Sequence, residues 1–109
     1  MRITLCGSTR FMKEFHEANL RLTLQGHSVY SVATSVKEDF QPTEEQKTLL
    51  DLVHLDKISN SDAIYVLNVD GYIGFSTARE IQWAKMQQKD VFFLSAGTLL
   101  KREERNKND

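Results

Sequence analysis

The run Asp70-Gly71-Tyr72-Ile73-Gly74-Phe75-Ser76-Thr77-Ala78-Arg79-Glu80 brings two glycines, the hydroxyls of Ser76 and Thr77 and the carboxylate of Glu80 to the start of a helical pattern. Glycine frees the backbone, and a helix start leaves N–H groups without intrahelical partners. Together these can hold an anion or a sugar. Glu80 is expected in the first helical turn, facing whatever the loop holds, as a nucleophile or a general acid/base. The same Thr77-Ala78-Arg79-Glu80 also matches a capping box, in which Glu80 would only bond a cap N–H. Arg79 would either hold Glu80 ionised or point to solvent.

A second set of groups is Gly7-Ser8-Thr9-Arg10. Its backbone N–H groups and the Arg10 guanidinium could bind a phosphate. An ordinary strand-to-helix turn with Ser8 or Thr9 as N-cap has the same composition. His54 stands near the end of a helical segment and would reach a site only if the chain geometry carries it there. With Asp51 or Asp56 it lacks the spacing of a metal signature, and no metal or organic cofactor is expected. His16 and His27 carry no pattern, and Ser61-Asp62 reads as a helix stop. No Ser-His-Asp order, phosphate-binding P-loop, dinucleotide fingerprint or aromatic-basic interleaving is present.

These groups need elements to position them. Residues 2–6 read as a strand ending at Gly7. Phe11, Phe15, Ala18 and Leu22 then recur at helical spacing, with Leu20 and Leu24 widening the stripe and Gly26 as the stop. Residues 27–32 are rich in strand formers, and residues 33–41 form a polar loop near the site. Pro42 and Thr43 open a second helix, with Thr43-Glu44-Glu45-Gln46 as a capping box. Its expected apolar face is Leu49, Leu50, Leu52, Val53, Leu55 and Ile58. Residues 63–69 form a third strand, the third helix runs to about Gln88, and residues 91–94 form a fourth strand. Trp83 and Met86 lie off the Ile81/Ala84 stripe and are expected to cover a partner surface.

This β-α-β-α-β-α-β order implies an α/β protein, a parallel sheet with helices on both faces and right-handed crossovers. The expected strand order is 2-1-3-4, a small flavodoxin-like (Rossmann-like) three-layer sheet. Its switch point lies between strands one and three. Both glycine-bearing loops emerge there, so two independent features converge on one crevice. Residues 1–96 make the domain, and residues 97–109 a charged tail that would be a short helix fraying into disorder.

Composition narrows the partners. The chain of 109 residues has 14 basic and 15 acidic side chains, a net charge of −1. Near-neutrality argues against broad binding to nucleic acid or an anionic membrane. The single cysteine, Cys6, cannot form an internal disulfide, which points to a reducing, cytoplasmic setting. No apolar run approaches membrane-spanning length, and the N-terminus starts a strand instead of a signal peptide. A core of this size would gain from dimerisation.

Taken together, Cys6-Gly7-Ser8-Thr9-Arg10 and Gly74-Phe75-Ser76-Thr77-Ala78-Arg79-Glu80-Ile81 resemble the nucleoside 2-deoxyribosyltransferase superfamily. The first motif is especially similar to its deoxynucleoside monophosphate N-glycosidase branch. The resemblance spans residues 1–94. It implies a flavodoxin-like fold, a homodimer or larger homo-oligomer whose site a neighbouring subunit often completes, and a nucleoside or nucleotide as ligand. It also implies cleavage of the N-glycosidic bond by a glutamate, which Glu80 matches, with transfer of the sugar to another base or to water. Gly7, Ser8 and Arg10, with Thr9 in the same turn, would approach a 5′-phosphate. Gly74, Ser76 and Thr77 would add donors at the helix terminus. The family's base-handling aspartate corresponds to His54, with Asp56 two residues on. Its strand-one tyrosine corresponds to Thr4, and Ser76 and Ala78 stand where glycines are frequent. The other reading of the same motifs is a nucleotide-binding module of this fold without catalysis.

Overall fold

The computed structural model of the protein describes residues 1–96; the expected tail at 97–109, with its short helix, lies outside the described residues. Four strands, β1 (Arg2–Cys6), β2 (Ser28–Tyr30), β3 (Ala63–Val66) and β4 (Asp90–Phe93), alternate with α1 (Met12–Leu24), α2 (Glu44–Ser59) and α3 (Phe75–Met86). The strands pair in parallel in the order β2-β1-β3-β4, with Cys6 beside Val66 and Val66 beside Phe93. This is the flavodoxin-like order expected from the alternation of elements.

Strand period divides β1 between two cores. Ile3 and Leu5 pack with Phe15, Ala18 and Leu22 of α1. Cys6 turns to the opposite face with Ile58 of α2 and Ala84 of α3. The chain leaves β1 toward β2 on one side and β3 toward β4 on the other, which opens the crevice at their carboxyl ends.

Local signals set the helix ends. Thr43 Oγ1 accepts from Gln46 N at 3.1 Å and Gln46 Oε1 accepts from Thr43 N at 2.9 Å, so the capping box at α2 is complete. Beyond α1, Gly26 takes φ +92°. Its N–H reaches Thr23 O and that of His27 reaches Leu22 O, the paired bonds of a left-handed helix stop.

Two apolar stripes differ from expectation. Leu20 and Leu24 on α1 are exposed, leaving Phe15, Ala18 and Leu22 as the buried stripe. On α2, Leu49, Leu50, Leu52 and Val53 are exposed, and only Leu55 and Ile58 pack against the core. Leu50 and Val53 line the cavity at the carboxyl end of the sheet instead of packing against a strand. Trp83, expected on a partner surface, packs against the core of its own chain and donates its indole N–H to Ser59 Oγ at 3.2 Å. Among the described residues no helix is long and apolar enough to cross a membrane.

Candidate active site

A cavity of about 410 Å³ opens at the carboxyl end of the sheet, within the range of small-molecule sites. The β1–α1 turn supplies Gly7, Ser8 and Thr9, and the loop after β2 supplies Val32 and Ala33. From α2 come Leu50, Asp51, Val53, His54 and Lys57. The β3–α3 loop and α3 supply the remaining wall, with Tyr72, Gly74, Ser76, Thr77 and Glu80.

Gly7 is required where it stands. Its φ is +156°, and a Cβ there would lie 3.2 Å from the Leu67 carbonyl oxygen and 3.3 Å from Leu67 Cβ. The turn then tightens into a single 3-10 turn at Thr9–Phe11, capped by Ser8, whose side chain accepts from Arg10 N. Ser8 is therefore a cap, and Gly7, Ser8 and Thr9 face the cavity.

Arg10 does not line that cavity. Its guanidinium lies 4.5 Å from the centroid of the Tyr72 ring, donates to Tyr72 Oη at 3.3 Å and to Ser8 Oγ at 3.2 Å. Cation–π attraction and two hydrogen bonds hold it at the rim.

On the far side, α3 begins at Phe75 with Gly74 as N-cap and no side-chain cap bond. Glu80 is thus the sixth residue, in the second turn instead of the first, and Thr77 sits inside the helix. That removes the capping-box reading of 77–80. The N–H groups of Phe75, Ser76 and Thr77 have no intrahelical carbonyl, and all three residues line the cavity. One turn deeper, the Glu80 side chain is 15% exposed and places Oε1 at 3.8 Å from His54 Nε2.

His54 is buried and does reach the crevice, with Nε2 also 3.6 Å from Cys6 Sγ. Asp56 does not. It is exposed and receives a hydrogen bond from Asn60 Nδ2 at 3.4 Å. Helical period explains the difference, because two residues along a helix is more than half a turn around it. The same period finds what the sequence reading passed over: Asp51 and Lys57, three residues either side of His54, share its face and line the cavity. Lys57 Nζ donates to Ser31 O at 2.8 Å, tying α2 to the loop after β2. Cys6 was also missed as a site residue. Its alternation on β1 and its place just before Gly7 are the signals that point to it.

Charge is suppressed throughout this cluster. Burial raises the Glu80 carboxyl from its ordinary 4.5 to about 7, against a hydrogen bond from the Cys6 thiol and the charge of Arg79, which both lower it. Arg79 is exposed, and its charge does not offset the loss of solvent. Burial lowers His54 from 6.5 to about 4, helped by the charge of Lys57 and opposed by a hydrogen bond to the Leu5 backbone. Burial and the neighbouring Glu80 push the Cys6 thiol well above its usual range. The close approach of His54 and Glu80 is therefore not an ion pair at neutral pH: the imidazole is neutral there, and Glu80 shares its proton with solvent. Thr4, on the same face of β1 as Cys6, is spent on Ser61, with their hydroxyl oxygens 2.6 Å apart.

No protein-family model matches the chain, and no curated protein matches it. Among solved structures it is similar to a 2-deoxyribosyltransferase from the psychrotolerant bacterium Bacillus psychrosaccharolyticus, characterised as a biocatalyst for the synthesis of nucleosides. The TM-score is 0.66 at 21% sequence identity, and the match covers 85% of this chain and 71% of that one. Strand order, helix placement and this likeness agree: the chain has the flavodoxin-like fold of a 2-deoxyribosyltransferase.

Proposed function

We propose that the protein is a divergent member of the nucleoside 2-deoxyribosyltransferase superfamily and acts at the N-glycosidic bond of a nucleoside or nucleotide, with Glu80 as nucleophile. The observation that carries the reading is the partly buried Glu80 carboxylate on the wall of the cavity, one turn below the free N–H groups of α3. The ionised carboxylate attacks the anomeric carbon. A C1′–O bond forms as the C1′–N bond breaks, and the electron pair leaves on the base, which takes up a proton. Water or a second base then resolves the glycosyl ester.

The α2 side of the cavity would meet the base. His54, neutral above about pH 4, serves as a hydrogen-bonding group there instead of a cationic acid, and Asp51 lies on the same wall. Ser8, Thr9 and the first turn of α3 would hold the sugar and any 5′-phosphate. Arg10 joins them by swinging off Tyr72, a small cost for an exposed side chain. The exposed Phe75 beside Leu50 and Val53 offers an apolar rim that a second copy of the chain would cover. Incubating the protein with a panel of nucleosides and nucleoside monophosphates tests the reading. Base release is expected from the wild type and not from Glu80→Ala, whose circular dichroism should be unchanged. Release of no base from any of the panel rejects it.

One observation favours a second reading, a nucleotide-binding module without turnover. Thr4, in the place of the family's tyrosine, is bonded to Ser61 and leaves Glu80 without that partner. Thermal stabilisation by nucleotides without base release would support this alternative.

A further inference from the structure

We infer that Cys6, His54 and Glu80 form a binding site for a single zinc ion, with its open coordination position toward the cavity. Their ligand atoms come from three separate elements, β1, α2 and α3, and all lie within 4.8 Å of one another. Tetrahedral zinc, with Zn–S about 2.3 Å and Zn–N or Zn–O about 2.0–2.1 Å, sets sulfur and nitrogen about 3.6 Å apart and nitrogen and oxygen about 3.4 Å apart. Here Cys6 Sγ to His54 Nε2 is 3.6 Å and His54 Nε2 to Glu80 Oε1 is 3.8 Å. The first separation needs no adjustment, and the second requires the Glu80 oxygen to close by a few tenths of an ångström.

The donor set selects the metal class. A thiolate excludes the hard cations magnesium and calcium, and one sulfur, one nitrogen and one oxygen suit zinc. Two anionic ligands and a neutral imidazole also cancel the double positive charge, so the loaded site buries no net charge. On binding, Cys6 gives up its S–H proton to solvent as the Zn–S bond forms, and any proton on Glu80 leaves with it. His54 contributes a lone pair. Its hydrogen bond to the Leu5 backbone is the kind of outer contact that orients a ligating imidazole. Cys6 is fully buried, but His54 and Glu80 line the cavity, which gives the ion a way in. The three ligands leave the fourth position facing that cavity, the pattern of an open zinc site.

Zinc would occupy the oxygen that the glycosyl reading uses as nucleophile, so in that reading the metal inhibits. The site itself does not depend on that activity, and its test uses no substrate. Tag-free protein is dialysed against zinc and its metal content measured, and the cobalt(II) form is examined by absorption. The expected result is one zinc per chain and a thiolate-to-cobalt charge-transfer band, which can only come from Cys6 because the chain has 1 cysteine. Cys6→Ser should abolish the band and weaken zinc binding by at least about tenfold, the least expected for loss of one of three protein ligands. Absence of saturable zinc uptake by the wild type overturns the inference. So does cobalt uptake without a thiolate band, a result that needs no variant to fold. Unchanged zinc affinity in a folded Cys6→Ser protein does the same.

Discussion

Glu80→Gln should make the protein more stable, and more so as the pH rises. The Glu80 carboxyl titrates near 7 in the folded chain against 4.5 for an ordinary glutamate. Below the lower value both states hold the proton, and the group contributes no pH dependence. As the pH rises between the two values, the unfolded chain ionises while the native one does not, so stability is lost until the native carboxyl also ionises. The span of about 2.5 units at 1.36 kcal/mol each amounts to about 3 kcal/mol, of which about 2–3 kcal/mol falls between about pH 5 and about pH 8. Glutamine has nearly the same shape and no charge to desolvate. Changes in packing or hydrogen bonding are independent of pH and cancel in the comparison. His54 destabilises the native state below its ordinary value, since its folded value is lowered, but it is present in both proteins. Urea unfolding of wild type and Glu80→Gln, with chelator in the buffer, measures the difference at each pH. An equal difference at both ends would refute the claim that burial holds this carboxyl protonated.

On the proposed function, kcat/KM for base release in the same buffer should rise along a limb centred near pH 7, because Glu80 as the proposed nucleophile must be ionised. Cys6→Ala removes the thiol hydrogen bond that lowers the Glu80 value, so the limb should move toward higher pH; a limb that stays in place assigns the titration to another group. Gly7→Ala forces a Cβ to within 3.2 Å of the Leu67 carbonyl oxygen. It should cost about 1–3 kcal/mol in urea unfolding, and a neutral substitution would mean that the turn relaxes freely. Thr43→Ala breaks the capping box on α2 and should cost about 1 kcal/mol in the same measurement, without shifting the pH limb.

Local chemistry by itself determined a good deal of this protein. The alternation of strand and helix patterns pointed to a parallel sheet with right-handed crossovers, and the expected order 2-1-3-4 is the one the fold adopts. Thr43 with Gln46 and Gly26 marked two of the helix ends, because capping is an exchange between residues a few positions apart. The two glycine-bearing loops also converged on the crevice, as strand order alone requires. Other features depended on packing and on angles around helices. The exposed half of α2 has the composition of a buried face, and only the packed structure leaves it uncovered. Glu80 lies in the second turn because Gly74, and not Thr77, begins the helix. His54 enters the site and Asp56 does not, since two residues on a helix point to different sides. Cys6 meets His54 and Glu80 only when three elements distant in sequence pack together. Their proton affinities follow from that burial, because the loss of solvent around a charge is set by the whole fold.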